Sequence, residues 1–267
     1  MDYTAKQFRD VLDKLVEYCR VGTLCDAYLK AVRTEDKIAI ETAILTATNN
    51  AAGMGWGTIL VDVYMRADFT QLPESAQAAL PPAITTAINR AVQGARTVSD
   101  YHQHSYVTII LAFVERADLV RMPPDAITAA VNYAIEQGLC NRLAEVYMRA
   151  DFNQLPENVQ AALPSAITTA VNRAVERGLS TEIQPFVERA DLVRMPPDAI
   201  TVAVNEVAEW KWEETIGDFL KRADLVRMPP DAIIIAFNKA VELKWHELIS
   251  DFLKRADLVR MPPDAII

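Results

Sequence analysis

The chain has 267 residues, 51% of them hydrophobic, which is ample for a continuous core and excludes a disordered chain. Lys and Arg number 27 against 36 Asp and Glu; the net charge of −9 repels a phosphate backbone and lowers the expectation of nucleic-acid binding. No apolar run approaches the ~18 residues of a membrane span, and the acid-bearing start MDYTAKQFRDVLDKL carries no secretory-signal pattern.

Residues 3–20 read as a polar-faced capping helix and 23–65 as a degenerate helical unit. An Arg-Ala-Asp marker then recurs at Arg66, Arg116, Arg149, Arg189, Arg222 and Arg255, with spacings of 50, 33, 40, 33 and 33 residues. From Arg116, Arg189, Arg222 and Arg255 the text is identical for twelve residues, RADLVRMPPDAI. Self-similarity at this period marks stacked repeats, in which each unit buries its apolar face against its neighbours.

Within a unit the pattern is a helical hairpin. Ile216, Phe219, Leu220 and Ala223, like Ile183, Phe186, Val187 and Ala190, fall on one helical face and define helix A, which ends near the marker. After a loop, Pro-Pro-Asp opens helix B: proline fits a first helical turn, and Asp125 meets the positive end of the helix dipole. Its stripe is Ala126, Ile127, Ala130, Val131, Ala134 and Ile135. The 40-residue units add seven residues, so Pro73–Leu80 and Pro156–Leu163 are expected to form an extra short helix ended by the next proline. Ten further residues around GARTVSDYHQHS read as a loop, where His102 and His104 are solvated rather than metal-bound. Helix B has barely begun again at Ile267, which suggests either a longer array or an end that docks, including end-to-end self-association.

The expected architecture is therefore all-α: a right-handed-type α-solenoid of tandem 33-residue (33/40) hairpins, with 1–65 as capping helix plus degenerate repeat and 66–267 as the array, one continuous solenoid. Trp56, Trp212 and Trp245 share a register with Leu139 and Leu179 and are expected to pack in the core at the start of helix A. An Asn recurs in helix B at Asn49, Asn89, Asn132, Asn172, Asn205 and Asn238; as a poor helix former it is expected to bond inter-helix loops as a ladder, or else to touch a ligand along the groove. The Arg and Asp of the marker are expected to serve helix-end electrostatics and pairing between units. Cys19, Cys25 and Cys140 fit no zinc or redox spacing and read as ordinary thiols of a reducing compartment, with Cys19 and Cys25 at the capping-helix interface; His246 is expected to be exposed.

Variation among the repeats clusters on one face of helix B. Its rungs are Thr86, Ala129, Thr169, Val202 and Ile235, then Arg90, Tyr133, Arg173, Glu206 and Lys239, then Gly94, Gln137, Arg177, Trp210 and Leu243. From this strip the partner-binding residues are expected to be Arg90, Tyr133, Arg173, Glu206, Trp210, Lys239 and Leu243, with Trp210 as an exposed anchor.

In form, hairpins of this length resemble tetratricopeptide-like and HEAT-like solenoids, although the tetratricopeptide Trp, Leu-Gly and Tyr pattern is absent. MPPDAITAAVN at 122–132 resembles the opening of TAL-effector repeats, with Asn132 near the base-reading position; the resemblance covers one helix per unit, and Asn132 is followed by Tyr-Ala-Ile-Glu rather than two glycines. That resemblance implies a reader of one nucleotide per unit. The residues themselves point to a non-enzymatic protein-binding scaffold, in the cytoplasm or delivered into a host cell as a bacterial effector, with a regulatory or substrate-binding part of a larger enzyme as a further alternative. No phosphate loop, nucleophile elbow or metalloprotease motif stands in the sequence, and no catalytic residue, cofactor, metal or membrane contact is expected.

Overall fold

A computed structural model describes residues 5–97, 100–114, 121–149, 152–155, 157–189, 194–222 and 228–255. Fourteen α-helices and no strand occur among them, so the chain is all-helical there. It divides into two compact units, residues 1–131 and 132–267.

The first unit holds α1 (Ala5–Glu17), α2 (Val21–Lys30), α3 (Thr34–Gly53), α4 (Gly57–Tyr64), α5 (Glu74–Thr97) and α6 (Asp100–Val114). Helix α3 packs on α1 and α5, α4 packs on α2 and α6, and each of α2/α3, α4/α5 and α5/α6 is also in contact. After α7 (Pro124–Gln137), the second unit holds α8 (Cys140–Met148), α9 (Glu157–Glu176), α10 (Ser180–Arg189), α11 (Pro197–Glu209), α12 (Glu213–Arg222), α13 (Pro230–Glu242) and α14 (His246–Arg255). There α11 lies between α9 and α13, and α8, α10, α12 and α14 pack successively.

The Ala-Ile pairs that recur in the sequence share one environment. Ala43-Ile44, Ala83-Ile84, Ala126-Ile127, Ala166-Ile167, Ala199-Ile200 and Ala232-Ile233 are all buried. Each buried isoleucine stabilises by about 1.5–3 kcal/mol, and the adjoining alanine lets the next helix approach closely. Ile183, Phe186, Val187, Ile216, Phe219 and Leu220 form the matching buried face of α10 and α12; Ala190 and Ala223 lie outside the described residues. Pro197 and Pro230 stand in the first turns of α11 and α13, each followed by an Asp, as the dipole favours.

The turns between hairpin partners share one backbone device. Gly55, Gly138, Gly178, Lys211 and Lys244 have φ of 75°, 73°, 63°, 59° and 60°. At each, two amides turn back on the preceding helix: Trp212 N–H bonds Val207 O at 3.3 Å and Lys211 N–H bonds Ala208 O at 3.0 Å, as Leu139 does with Ala134 and Gly138 with Ile135. This is a Schellman motif, which places an apolar residue directly after the left-handed one to pack back on the helix. Trp56, Trp212, Trp245, Leu139 and Leu179 occupy that position. They are therefore not core residues of the following helix: Trp56 is 37% exposed and the other four are half-buried.

Three further expectations are corrected. Residues 74–97 and 157–176 are each one helix rather than a short helix broken at proline, and Pro81, Pro82 and Pro164 lie inside them. Helix α9 is twenty residues long and α11 thirteen; the seven added residues make nearly two full turns, so Val159 and Leu163 fall on the same buried side as Ala166 and Ile167. Pro81 and Pro82 deprive the carbonyls of Gln77 and Ala78 of their bonds, but both prolines face partly outward, where water can serve instead. The stretch GARTVSDYHQHS, read as a loop with His102 and His104, is helical where it is described: 94–97 end α5 and 100–105 open α6.

The marker is structural where it is described in full. Arg66 donates from Nε to Asp68 at 2.8 Å and from Nη2 to Asp26 at 2.6 Å, joining the end of α4 to α2, and it reaches the carbonyl of Gly22 at 3.4 Å. Its guanidinium holds the Asp68 carboxyl below its usual range. The segments 115–120, 190–193, 223–227 and 256–267, which carry most of the RADLVRM copies and the unfinished last unit, lie outside the described residues.

Candidate functional site

The helix-B equivalents α3, α5, α7, α9, α11 and α13 each carry both buried and exposed residues. The variable strip is uneven. Arg90 is exposed on α5, Arg173 on α9 and Glu206 on α11 are half-buried, and Leu243 is half-buried at the C-terminal end of α13. Tyr133 is 0% exposed, which removes it from any surface strip; its ring fills space inside the fold. Lys239 is 11% exposed at its side chain and lies beneath two carboxylates, Glu242 at 3.1 Å on its own helix and Glu209 at 3.8 Å on α11. Arg177 donates to Gln137 at 3.1 Å. Part of this strip thus ties neighbouring helices together instead of standing free.

Trp210 closes α11, half-buried, with its ring centroid 4.7 Å from that of Trp212 and the planes tilted at 48°. The left-handed Lys211 between them folds the chain sharply and brings the two indoles together. Exposed Glu209, Glu213 and Glu214 flank the pair in sequence. A groove of about 310 Å³ runs along α12 and α14, lined by Glu213, Glu214, Asp218, Glu247 and Asp251 around Gly217 and Lys221.

The recurring Asn does not form a buried ladder. Asn49, Asn89, Asn132, Asn172, Asn205 and Asn238 are all exposed. The polar residue four places earlier explains itself locally: Thr85, Thr128, Thr168 and Thr201 donate their hydroxyls to the carbonyls of Pro81, Pro124, Pro164 and Pro197. No such bond accounts for the Asn.

The thiols are inert in this setting. Burial raises Cys19, pushes Cys25 up to about 11 and raises Cys140 above the ordinary thiol range, so all three are neutral near pH 7. Glu182 sits against the N-terminus of α8, accepts the Asn141 backbone N–H, and has its carboxyl raised chiefly by burial. One of its oxygens, Oε2, is buried with no hydrogen-bond partner among the described residues. Among the described residues no group of His, Cys, Asp and Glu could hold a metal ion, and no helix is long and apolar enough to cross a membrane.

No family model, curated protein or solved structure matches the chain.

Proposed function

We propose that the chain is an α-solenoid of 33- and 40-residue helical hairpins behind an N-terminal capping helix, and that it acts as a non-enzymatic scaffold for a protein partner. The observation that carries this reading is Trp210. It is a large aromatic residue, half-exposed at a helix end, where the other repeats put Gly94, Gln137, Arg177 and Leu243. A residue needed only for packing would be apolar at that register throughout, whereas rigid aromatics with partial exposure are what interface anchors are made of. Arg173, Glu206 and Leu243 complete the contact strip in the second unit, Arg90 is a separate exposed contact of the first unit, and Tyr133 and Lys239 are withdrawn.

The test is a nuclease-treated pull-down from cell lysate, comparing the wild-type chain with Trp210→Ala/Leu243→Ala. Circular dichroism first establishes that the variant is folded. A protein captured by the wild type and lost from the variant supports the scaffold reading. Capture that survives the double substitution removes the strip, and capture that needs intact nucleic acid favours a nucleic-acid reader, to be followed by the salt dependence of binding.

A further inference from the structure

We infer that the exposed Asn row of the second unit binds an extended, basic segment of a partner polypeptide in the polyproline II conformation, one turn of the segment per helix. This rests on the scaffold reading above and names the class of partner.

Asn is a weak helix former, and at an exposed position almost any other residue would stabilise the helix better. Yet it stands at this register in all six helices, whereas four residues before it Thr holds in only four of them and four residues after it Glu holds in only four. Four residues before it are Leu45, Thr85, Thr128, Thr168, Thr201 and Ile234, and four after it are Gly53, Gln93, Glu136, Glu176, Glu209 and Glu242. Neither burial nor the local backbone accounts for the Asn, and what remains is something outside the chain.

Helices α9, α11 and α13 pack side by side and carry Asn172, Asn205 and Asn238 at the same register. The Lys239 to Glu209 contact fixes α13 against α11 at that level. Packed helices lie about 8–10 Å apart. A primary carboxamide donates and accepts at once, so its complement is another amide, such as the peptide group of a main chain.

A β-strand turns its peptide groups alternately to opposite sides, so three residues, the number that matches the helix spacing, would present opposite faces to successive Asn residues. Polyproline II has three residues per turn and rises ~3.1 Å per residue, so one turn advances about 9.3 Å and returns the same face; its main-chain groups make no internal bonds and are free to pair.

Charge selects the side chains. Beside the Asn residues stand Glu176, Glu209 and Glu242, all exposed. Lys239, which faces two of them, is sunk at 11% side-chain exposure, while the Glu209 and Glu242 side chains are 65% and 62% exposed. The outermost charge over α11 and α13 is therefore negative, which suits Lys or Arg at every third position of the segment.

The experiment measures fluorescence anisotropy of the full chain with a labelled (Pro-Pro-Arg)4 peptide and with a peptide of equal composition whose four Arg are consecutive. A phased peptide that binds at least tenfold more tightly than the clustered one is expected. Asn172→Ala/Asn205→Ala/Asn238→Ala should abolish that preference while leaving the melting temperature unchanged or higher, since Ala is the better helix former. Equal binding of both peptides, an unaltered preference in the triple variant, or no binding of either peptide at millimolar concentration overturns the inference. If the triple Asn variant keeps the lysate partner and Trp210→Ala/Leu243→Ala loses it, this inference fails and the scaffold reading stands.

Discussion

Individual residues disclose where the repeat frame is obeyed and where it is strained. Gly138 shows a double constraint. Its φ of 73° already disfavours a side chain, and a Cβ there would meet the Ala174 amide nitrogen at 2.9 Å, whereas at Gly178 the space is empty. Gly138→Ala should therefore lower the melting temperature clearly more than Gly178→Ala, which costs only the left-handed conformation, about 1–2 kcal/mol; equal shifts in thermal denaturation would show that close approach of α9 does not matter. Conversely, Lys211→Gly and Lys244→Gly should each stabilise. Thr48 is the one polar residue in a row otherwise filled by Ile88, Val131, Val171, Val204 and Phe237, and its buried hydroxyl has no hydrogen-bond partner among the described residues. Thr48→Val should raise stability by about 1 kcal/mol, read from urea denaturation. Glu182, with its carboxyl raised by burial, favours folding while protonated; that contribution is complete below the ordinary glutamate range and fades as pH rises through its folded value. Glu182→Gln should accordingly stabilise the chain at pH 7 and flatten the loss of stability on going up from about pH 4.

Elements obey the arithmetic of the helix. The long units were expected to hold an extra helix because proline ends helices, and that rule lost to register: seven residues add nearly two turns, so the apolar face is preserved and the helix runs on. Removing residues 157–163 joins Leu155-Pro156 to Pro164-Ser165-Ala166-Ile167, which restores the Met-Pro-Pro-Asp-Ala-Ile pattern of the short units. That deletion should yield a folded protein, whereas deleting five residues from the same stretch rotates the start of α9 and should be strongly destabilising. Circular dichroism melts of the two would decide, and similar melts would show that register is not what keeps α9 whole. The loops of the long units are built alike. Gln77 and Gln160 each donate to the carbonyl five residues back, at 2.7 and 2.6 Å, and Tyr64/Phe69 and Tyr147/Phe152 each meet edge to face.

At the scale of the molecule, stability in a stacked array approximates a sum over units and their nearest neighbours. Each compact unit packs its helices in this neighbour-to-neighbour manner. Excising residues 190–222, one whole repeat bounded by identical text, should therefore leave a folded, cooperative protein with proportionally less helix and a lower melting temperature. Loss of all cooperative unfolding would count against the array.

The helical class and the buried Ala-Ile pairs were legible in the sequence alone, because burial on a helix imposes a 3.6-residue period on apolar residues. Proline at the start of α11 and α13 was legible for the same reason: its backbone requirement is local. The roles of Trp212, Tyr133 and the Asn row were not legible. Residue type sets a preference for burial, but whether a given side of a helix meets a neighbour, a turn or water depends on packing between segments distant in sequence. That packing put Tyr133 inside, left all six Asn residues outside, and sank Lys239 beneath its two glutamates.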